Sequence, residues 1–340
     1  MTPREVVLAA IERRDPPRVP VNYCNRDFEH SDVLASGYAP AAGWTPSEPG
    51  MTEWGYVWHA LDRTMGQPAT HPLVDWSALD AYVPPDPDAP GRFDHIEPWA
   101  RENADRFLRA SVGISGFNQA TFLRGFEAFL EDLCLAPDRA ERVLDIVFWF
   151  ENAIIERYCA LPVDCVVFGD DWGTQKGLMV RPELWRRVFR PRYAEQFARI
   201  HAAGKKVWFH SCGNVWDMIG DMIEIGVDVL ELLQPDVFGV ERLAEAFAGR
   251  VCFCCAVDHQ RVAVSGSREE IFAYARRLND LLGRGGGFIG YVEDYASLGM
   301  SEQNYQWIRE AFHSLKPAPR SGAQEPDARR GIATMGEGRR

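Results

Sequence analysis

The residues best suited to chemistry in this sequence are His210 and Cys212, which follow the apolar run at residues 206–209. Such a run is typical of a β-strand, and side chains two residues apart in a strand project from the same side of the backbone. Imidazole nitrogen and thiolate sulfur are ligands that zinc prefers. Gly213 then allows the chain to turn sharply after the second donor. A buried histidine beside an inert cysteine is the alternative for an isolated pair of this kind.

Two adjacent carboxylates, Asp170 and Asp171, follow another apolar run at residues 165–169. Neighbouring side chains in a strand point to opposite sides, so the two acids are not expected to act as a paired acid and base. One of them is expected to face the site, where it would relay a proton or orient His210, and the other could cap the next helix. Helix capping by both acids is the alternative.

Two amide side chains stand at comparable positions along the chain. Gln234 follows the apolar stretch at residues 228–233 and could hydrogen-bond a substrate. Asn214 could do the same, or it could cap the helix that is predicted to start at Asp217.

The elements that would position these residues alternate between strands and helices. Helical spacing of apolar residues over 182–202, 217–225 and 268–282 ends close to a glycine in each case, which is a common helix stop. Short apolar runs between such segments predict strands buried on both faces; they lie at residues 19–24, 110–114, 165–169, 206–210, 228–233, 251–257 and 288–292. Repeated strand–helix units predict an α/β fold, a single (β/α)8 barrel of the TIM type, with the chemistry at the C-terminal strand ends.

Charge and composition exclude several classes of function. The chain has 340 residues and a formal net charge of −12, which argues against nucleic-acid or anionic-membrane partners bound through bulk charge. No apolar run approaches the ~18 residues of a membrane span, and the first residues do not resemble a signal peptide. The 8 cysteines lie mostly in apolar segments, which favours reduced thiols. We expect a cytoplasmic protein.

The ends and one internal segment differ from the barrel pattern. Residues 1–315 contain no obvious linker and are expected to form one barrel domain. Residues 316–340 are rich in Pro, Gly, Arg and Glu and are expected to form a disordered tail. The segment 37–93 carries Pro, Gly and Trp without a clean period. It could form a lid over the barrel mouth or the contact of a homodimer.

Several short motifs follow one another in a recognisable order. They are Arg18-Val19-Pro20-Val21, Glu53-Trp54-Gly55, Leu123-Arg124-Gly125-Phe126-Glu127, Phe168-Gly169-Asp170-Asp171-Trp172-Gly173-Thr174-Gln175, Pro182-Glu183-Leu184-Trp185, Phe189-Arg190-Pro191, His201-Ala202-Ala203-Gly204-Lys205, His210-Ser211-Cys212-Gly213-Asn214 and Leu233-Gln234-Pro235. The set resembles the uroporphyrinogen decarboxylase superfamily, and within it the cobalamin-dependent methyltransferases and O-demethylase components. The resemblance covers residues 3–315 and implies a (β/α)8 barrel.

Two activities of that superfamily make different demands on the residues. The resemblance implies that decarboxylases hold the many carboxylates of uroporphyrinogen with an arginine-rich segment after the first strand, whereas residues 22–30 here keep only Arg26 and add Asp27 and Glu29. That charge balance is unfavourable for an anionic tetrapyrrole. Residues 291–295 also depart from the Asn-Leu-Gly-His-Gly segment of the decarboxylases. Decarboxylation is therefore less favoured, and Arg26 is kept as a candidate substrate-binding residue.

The methyltransferase branch has a zinc site with a His-x-Cys pair at this same strand end, so the resemblance implies that His210 and Cys212 are zinc ligands. Members of that branch draw a third ligand, a cysteine, from the last strand, and residues 286–300 here contain none. Glu293 is the favoured replacement, with Asp294 beside it. Sulfur ligands from the preceding strand are the alternative to an oxygen ligand; they would come from Cys252, Cys254 or Cys255, of which Cys255 points away from the other two.

The resemblance implies a zinc-dependent methyltransferase that moves a methyl group between a small donor, such as a methoxylated aromatic, and a corrinoid protein that carries cobalamin. Transfer to a zinc-bound thiolate is the reverse direction at the same site. Aromatic walls for the donor are expected from Trp54, Trp58, Phe117 and Trp172, for which core packing is the alternative. The alternatives for the whole chain are a uroporphyrinogen decarboxylase and a catalytically inactive barrel scaffold.

Overall fold

Eight parallel strands form the main sheet of the protein. The computed structural model describes residues 1–60 and 66–319 of the chain. In chain order the strands are β1 (Val21–Cys24), β2 (Val33–Gly37), β3 (Trp58–His59), β4 (Gln67–Pro68), β5 (Phe107–Ile114), β6 (Cys165–Gly169), β7 (Lys206–His210), β8 (Val229–Glu231), β9 (Cys252–Ala256) and β10 (Phe288–Glu293). The order in the main sheet is β1-β10-β9-β8-β7-β6-β5-β2, while β3 and β4 form a separate antiparallel pair.

The two end strands of the main sheet, β1 and β2, are joined through the residues just before β2. The backbone nitrogen of Asp32 donates to the carbonyl of Val21 at 2.9 Å. The Asp32 carboxylate accepts the backbone N–H of Val21 at 2.8 Å, and the Ser31 hydroxyl accepts that of Tyr23 at 2.9 Å. These bonds bring the end strands together, so the predicted (β/α)8 barrel is confirmed.

Helices surround the strands on the outside of the barrel. They are α1 (Pro3–Ile11), α2 (Ile96–Glu102), α3 (Gly116–Arg124), α4 (Phe126–Leu135), α5 (Pro137–Ala160), α6 (Pro182–Val188), α7 (Arg190–Ala202), α8 (Trp216–Glu224), α9 (Val240–Phe247), α10 (Val262–Ser265), α11 (Arg268–Leu282) and α12 (Glu302–His313). Short 3-10 turns lie at Phe28–His30, Trp76–Ala78, Pro235–Val237, Arg284–Gly286 and Ala296–Leu298.

The core has two layers, because successive side chains of a strand face opposite sides of the sheet. In β9, Cys252 and Cys254 belong to the cluster inside the barrel, whereas Phe253 and Cys255 pack between the strands and the helices. This confirms the predicted facing of the cysteines. Helix α1 contributes Val7, Ala10 and Ile11 to the interior cluster, so it closes the N-terminal end of the barrel and leaves the C-terminal end for chemistry.

Two features of the fold differ from the sequence prediction. Strand β2 was not predicted, because Val33 and Leu34 are its only large apolar residues and it ends in Ser-Gly. The helix predicted over 182–202 is divided into α6 and α7. The division falls beside Pro191, whose ring cannot fit inside a continuous helix but is tolerated at the start of a new one.

One buried arginine ties together distant parts of the segment between β2 and α2. The Arg92 guanidinium donates to both oxygens of Glu53, at 2.8 and 3.0 Å, and to the carbonyls of Ala39 and Asp86. A buried bidentate pair of this kind fixes orientation as well as distance. Whether the segment acts as a lid or a homodimer contact stays a prediction.

Two other predictions concern the tail and the membrane. Residues 316–319 form neither helix nor strand, and the remainder of the predicted disordered tail, from residue 320 onward, lies outside the described residues. Across the described ranges, each helix is too short or too polar to cross a lipid bilayer.

Candidate metal centre

Three donor side chains meet at the C-terminal end of the barrel. His210 ends β7, Cys212 follows two residues later, and Asp171 follows β6. Their ligand atoms all lie within 4.8 Å of one another. The distance from His210 Nε2 to Cys212 Sγ is 3.5 Å, and that from His210 Nε2 to Asp171 Oδ1 is also 3.5 Å.

The backbone around these donors is fixed by contacts between the two strand ends. Strand register places Gly169 opposite His210, and the Asp171 carboxylate accepts the backbone N–H of Cys212 at 2.7 Å. Gly213 has a φ of 74°, and a Cβ atom there would overlap the carbonyl of Gly173. Only glycine tolerates both this conformation and this close approach, so the turn after Cys212 requires it.

A buried carboxylate orients His210 from inside the barrel. Glu231, at the end of β8, lies 3.1 Å from His210 Nδ1. Its other oxygen accepts from Arg109 at 3.0 Å and from the indole of Trp208 at 2.7 Å. A proton held on Nδ1 by this carboxylate leaves Nε2 free toward Cys212 and Asp171. Carboxylate–histidine pairs support metal-ligating histidines in the same way.

The electrostatics of the group favour a positive charge at its centre. Burial alone would lower the pKa of His210, but its hydrogen bonds with Asp171, Cys212 and Glu231 raise that pKa well above its ordinary value. Burial alone would raise the pKa of Glu231, but His210 and Arg109 outweigh it and lower that pKa to about 2. Nitrogen, sulfur and carboxylate oxygen together form a donor set that suits zinc with one coordination position open.

The oxygen atom in this cluster comes from Asp171, whereas the sequence prediction favoured Glu293. Glu293 ends β10, opposite Cys24 of β1, and is not among the described residues whose ligand atoms lie within 4.8 Å of one another. Burial raises its pKa, and the nearby Glu231 adds to that effect. Its role as third ligand stays a prediction. The neighbouring Asp294 is paired with Arg26 at 2.9 Å.

The cysteines of β9 are inside the core. Cys252, Cys254 and Cys255 are fully buried, and burial raises the pKa of each thiol. A thiol in apolar surroundings stays protonated and is a poor ligand. The structure therefore favours the packing interpretation over the less favoured sulfur-ligand prediction for Cys254 and Cys255.

Asp170 and Asp171 point in opposite directions, as the strand geometry predicts. The buried Asp170 carboxylate accepts the backbone N–H groups of Phe117 and Asn118 at 3.0 and 2.8 Å, and it also accepts the hydroxyl of Tyr193. It thus caps the start of α3, a helix that precedes it in the chain, whereas the prediction was the following helix. The Asn118 side chain in turn accepts the backbone N–H of Asp171, so this cap also positions the donor.

A second buried acid lies beside this cap. Glu151 of α5 accepts the backbone N–H of Gly116 at 2.6 Å and the Gln196 amide at 2.9 Å. Burial raises the pKa of Glu151 to about 7. The Gln196 carbonyl oxygen has no partner among the described residues, so a flip of the Gln196 amide would let this oxygen accept a hydrogen bond from the neutral Glu151 carboxyl.

Replacing Glu151 should remove a pH dependence of stability. Because the folded-state pKa is raised, the folded protein binds more protons, and this group's contribution to stability falls as the pH rises from 4.5 to about 7. Glu151→Gln should therefore gain on the order of 3 kcal/mol relative to the parent between pH 4.5 and about pH 8. Urea unfolding across that range measures this. The exposed Glu156→Gln on the same helix should show no such trend, and a parallel trend in both variants would contradict the assignment.

The predicted aromatic walls fall into two groups. Phe117 and Trp172 are completely buried and stack at 4.6 Å. They are core residues, which favours the alternative of core packing over contact with a substrate. Trp54 is buried against Phe150 but borders a cavity at the barrel mouth. Trp58 packs edge-on against Phe122.

The predicted polar contacts with substrate already have partners within the protein. Arg26 binds Asp294 and Glu302 and lies over the ring of Tyr305 at 4.0 Å. These partners neutralise the cation and leave it little capacity for a substrate carboxylate.

Asn214 and Gln234 support the turn that carries Cys212. The Asn214 side chain accepts the backbone N–H of Trp216, the first residue of α8, at 3.2 Å, although Val215 occupies the N-cap position of that helix. The Gln234 carbonyl oxygen accepts the backbone N–H of Gly213 at 3.2 Å, and its amide nitrogen lies 3.4 Å from the ring of His259. Contact with substrate stays a prediction for both residues.

Sequence reasoning missed the residues that orient His210. Glu231 and Arg109 each stand alone as a charge within an apolar strand, and Trp208 shares the face of His210 in β7. A charge in a buried strand needs a partner, and this signal could have identified the pair. It could not have shown which strands bring the two together.

One solved structure with a similar fold is that of a methyltransferase. A methyltransferase from Methanosarcina mazei superposes with a TM-score of 0.65 at 14% identity, covering 92% of this chain and 98% of that enzyme. The YdhT protein from Bacillus subtilis gives a TM-score of 0.45 at 10% identity, over 100% of this chain and 95% of its own. At 14% identity the likeness to the Methanosarcina mazei enzyme concerns the fold, and nothing is concluded from the superposition on YdhT.

Sequence comparison identifies the family. No curated protein matches the chain. The family model described as uroporphyrinogen decarboxylase (URO-D) matches residues 63–315, which include all three donor side chains and most strands of the barrel. The chain therefore belongs to the uroporphyrinogen decarboxylase family.

Proposed function

We propose that the protein is a zinc-dependent methyltransferase that moves a methyl group between a small donor, such as a methoxylated aromatic, and a corrinoid protein. The observation that carries this proposal is the convergence of Asp171, His210 and Cys212, with Glu231 behind the histidine. Nitrogen, sulfur and oxygen donors around one point suit zinc and have no evident use in a decarboxylation that needs no metal. The fold shared with the Methanosarcina mazei methyltransferase is compatible with this reaction.

The side chains of the group have distinct roles in the proposal. His210 Nε2, Cys212 Sγ and an Asp171 oxygen would hold the ion. Bound zinc supplies a Lewis acid that stabilises negative charge on the donor oxygen. Glu231 keeps a proton on His210 Nδ1, and Asp171 holds the backbone N–H of Cys212 at 2.7 Å. The group is thus rigid before a donor arrives, which lowers the cost of ordering it in the reaction.

The partner would meet the donor at the open, C-terminal end of the barrel. Cobalamin carried by a separate corrinoid protein would receive the methyl group, and the electron pair of the broken carbon–oxygen bond would stay on the donor oxygen, which then takes up a proton. Because helix α1 closes the opposite end, the corrinoid protein would have to dock over the strand ends that carry His210 and Cys212.

Charge pairing argues against uroporphyrinogen as the substrate. Arg26 is bound by Asp294 and Glu302, and Arg109 inside the barrel is bound by Glu231. An octacarboxylate would have to compete with these protein carboxylates for each cation, at a cost in both desolvation and lost ion pairs.

The substrate class can be tested directly. With a reduced corrinoid protein present, a methoxylated aromatic should produce methyl transfer, seen as a shift in the corrinoid absorption spectrum. Cys212→Ser should reduce the rate by at least about a hundredfold because the site loses a ligand. Uroporphyrinogen should not be consumed. Formation of coproporphyrinogen would replace this proposal with a decarboxylase, and zinc-free protein without either activity would support an inactive scaffold.

A further inference from the structure

A cavity of about 410 Å³ opens at the mouth of the barrel, and none of the three donor side chains lines it. It lies between the C-terminal ends of β2 and β5, at Gly37 and Ser111, and the segment that follows β2. Pockets of this volume hold small organic ligands when their walls are apolar and carry a few placed polar groups. The cavity is at the same end of the barrel as His210.

Aromatic rings form much of the wall. Trp54 and Tyr56 are buried and held edge-on by Phe150 and Phe122, with ring centroids 4.9 and 5.6 Å apart. Trp44 and Met51 line the cavity from the same segment and are half-buried. Because the inner rings are fixed by the core, they offer a preformed surface for stacking or edge contacts with a flat ligand.

One polar side chain in the cavity wall indicates which functional group a ligand would carry. Gln119 of α3 lines the cavity and is 2% exposed. The Tyr56 hydroxyl donates to its carbonyl oxygen at 3.5 Å. Its amide nitrogen has no hydrogen-bond partner among the described residues. A buried donor without a partner is costly, and an acceptor oxygen on a ligand would remove that cost.

The charge in the cavity is already balanced. Glu53 is the one charged side chain among the described lining residues, and both its oxygens are bound by the buried Arg92. Burial raises the pKa of Tyr56 to about 12, so its hydroxyl is neutral at physiological pH. A ligand carboxylate would therefore find no unpaired cation on this wall and would meet the Glu53 carboxylate instead.

We propose that this cavity binds an uncharged aromatic ring bearing an acceptor oxygen, with that oxygen on the amide nitrogen of Gln119. Binding of the ring does not depend on the proposed methyl transfer, and in a substrate the oxygen that Gln119 would hold is a different atom from the methyl-bearing oxygen that zinc would polarise. Asn118, which precedes Gln119 on α3, accepts the backbone N–H of Asp171. Helix α3 thus connects the ring site with the metal-ligand group, so a ring held here would lie beside the catalytic mouth.

Calorimetric titration with anisole tests binding separately from turnover. It is carried out on the unmodified full-length protein and on its His210→Ala variant. Anisole should bind both equally. Gln119→Leu, which keeps the side-chain volume and removes the donor, should weaken binding about threefold to tenfold. Trp44→Ala removes a half-buried ring, so it should fold normally and also weaken binding. Gln303→Leu on the exposed face of α12 is the matched control and should leave binding unchanged.

Two further ligands test the chemical class. Cyclohexyl methyl ether, which has the oxygen but not the ring, and p-methoxybenzoate, which adds a carboxylate, should each bind at least about tenfold more weakly than anisole. Equal binding of anisole to the parent, Gln119→Leu and Trp44→Ala proteins would overturn the proposal, as would tighter binding of the benzoate. Binding that follows the expected order without methyl transfer would support the cavity and count against the proposed reaction alone.

Discussion

Purified protein is expected to hold about one zinc ion per chain, and His210→Ala or Cys212→Ser is expected to weaken zinc binding by about a hundredfold or more. A site with three protein ligands cannot lose one and keep its affinity. The two donors stand 3.5 Å apart with no other thiol in the group of described residues. Metal analysis after dialysis against a chelator of known affinity measures the effect. Cys134→Ser, at an exposed thiol on α4, is the matched control and should retain the metal.

The same measurement distinguishes the candidate oxygen ligands. Asp171→Asn keeps an acceptor for the Cys212 backbone but removes the charge, so it should lower zinc affinity, while Glu293→Gln should leave it nearly unchanged. The reverse pattern would restore Glu293 as third ligand. X-ray absorption should show one sulfur in the coordination shell, and two sulfurs would instead implicate a cysteine of β9. Full zinc occupancy in a His210→Ala, Cys212→Ser double variant would refute the site.

The parts of this site that the sequence predicts are those that depend on local geometry. The shared facing of His210 and Cys212 follows from the two-residue period of one strand, and the opposed facing of Asp170 and Asp171 follows from the same rule. The meeting of Asp171 with His210 depends instead on the register between β6 and β7, which places Gly169 opposite His210. The pairing register of two strands that are far apart in the chain cannot be deduced from the sequence of either strand alone.

Aromatic residues show a similar limit. Phe117, Trp172 and Trp54 were all predicted as walls for an aromatic donor, yet the first two are in the core and the third borders a cavity. A ring is suited to either environment, so its type does not distinguish them. The barrel itself was predictable because seven of its strands are apolar runs, while β2 depends on the side chains of Ser31 and Asp32 to reach β1. Hydrophobic periodicity cannot predict that polar side chains join the two end strands of the sheet and so close the barrel.

Substitution of Glu231 is also expected to have a large effect on zinc binding. Glu231 is a positioning residue, because it contacts the proposed zinc ligand His210 and is not itself a proposed ligand. Glu231→Gln should lower zinc affinity about tenfold to a hundredfold, because His210 loses the charged partner on Nδ1. It should also destabilise the fold by on the order of 3 kcal/mol, since Arg109 would keep a buried charge without its counter-ion. Zinc titration and urea unfolding measure the two effects separately.

A second substitution separates orientation of the histidine from simple loss of stability. Arg109→Met in the Glu231→Gln background removes the unpaired charge, so the free energy of unfolding should recover most of its loss while zinc affinity stays low. Glu310→Gln breaks an exposed pair with Arg268 and should change stability by less than about 1 kcal/mol. If the double variant regained zinc affinity together with stability, Glu231 would act through the fold alone, and the orienting role assigned to its bond with His210 would be wrong.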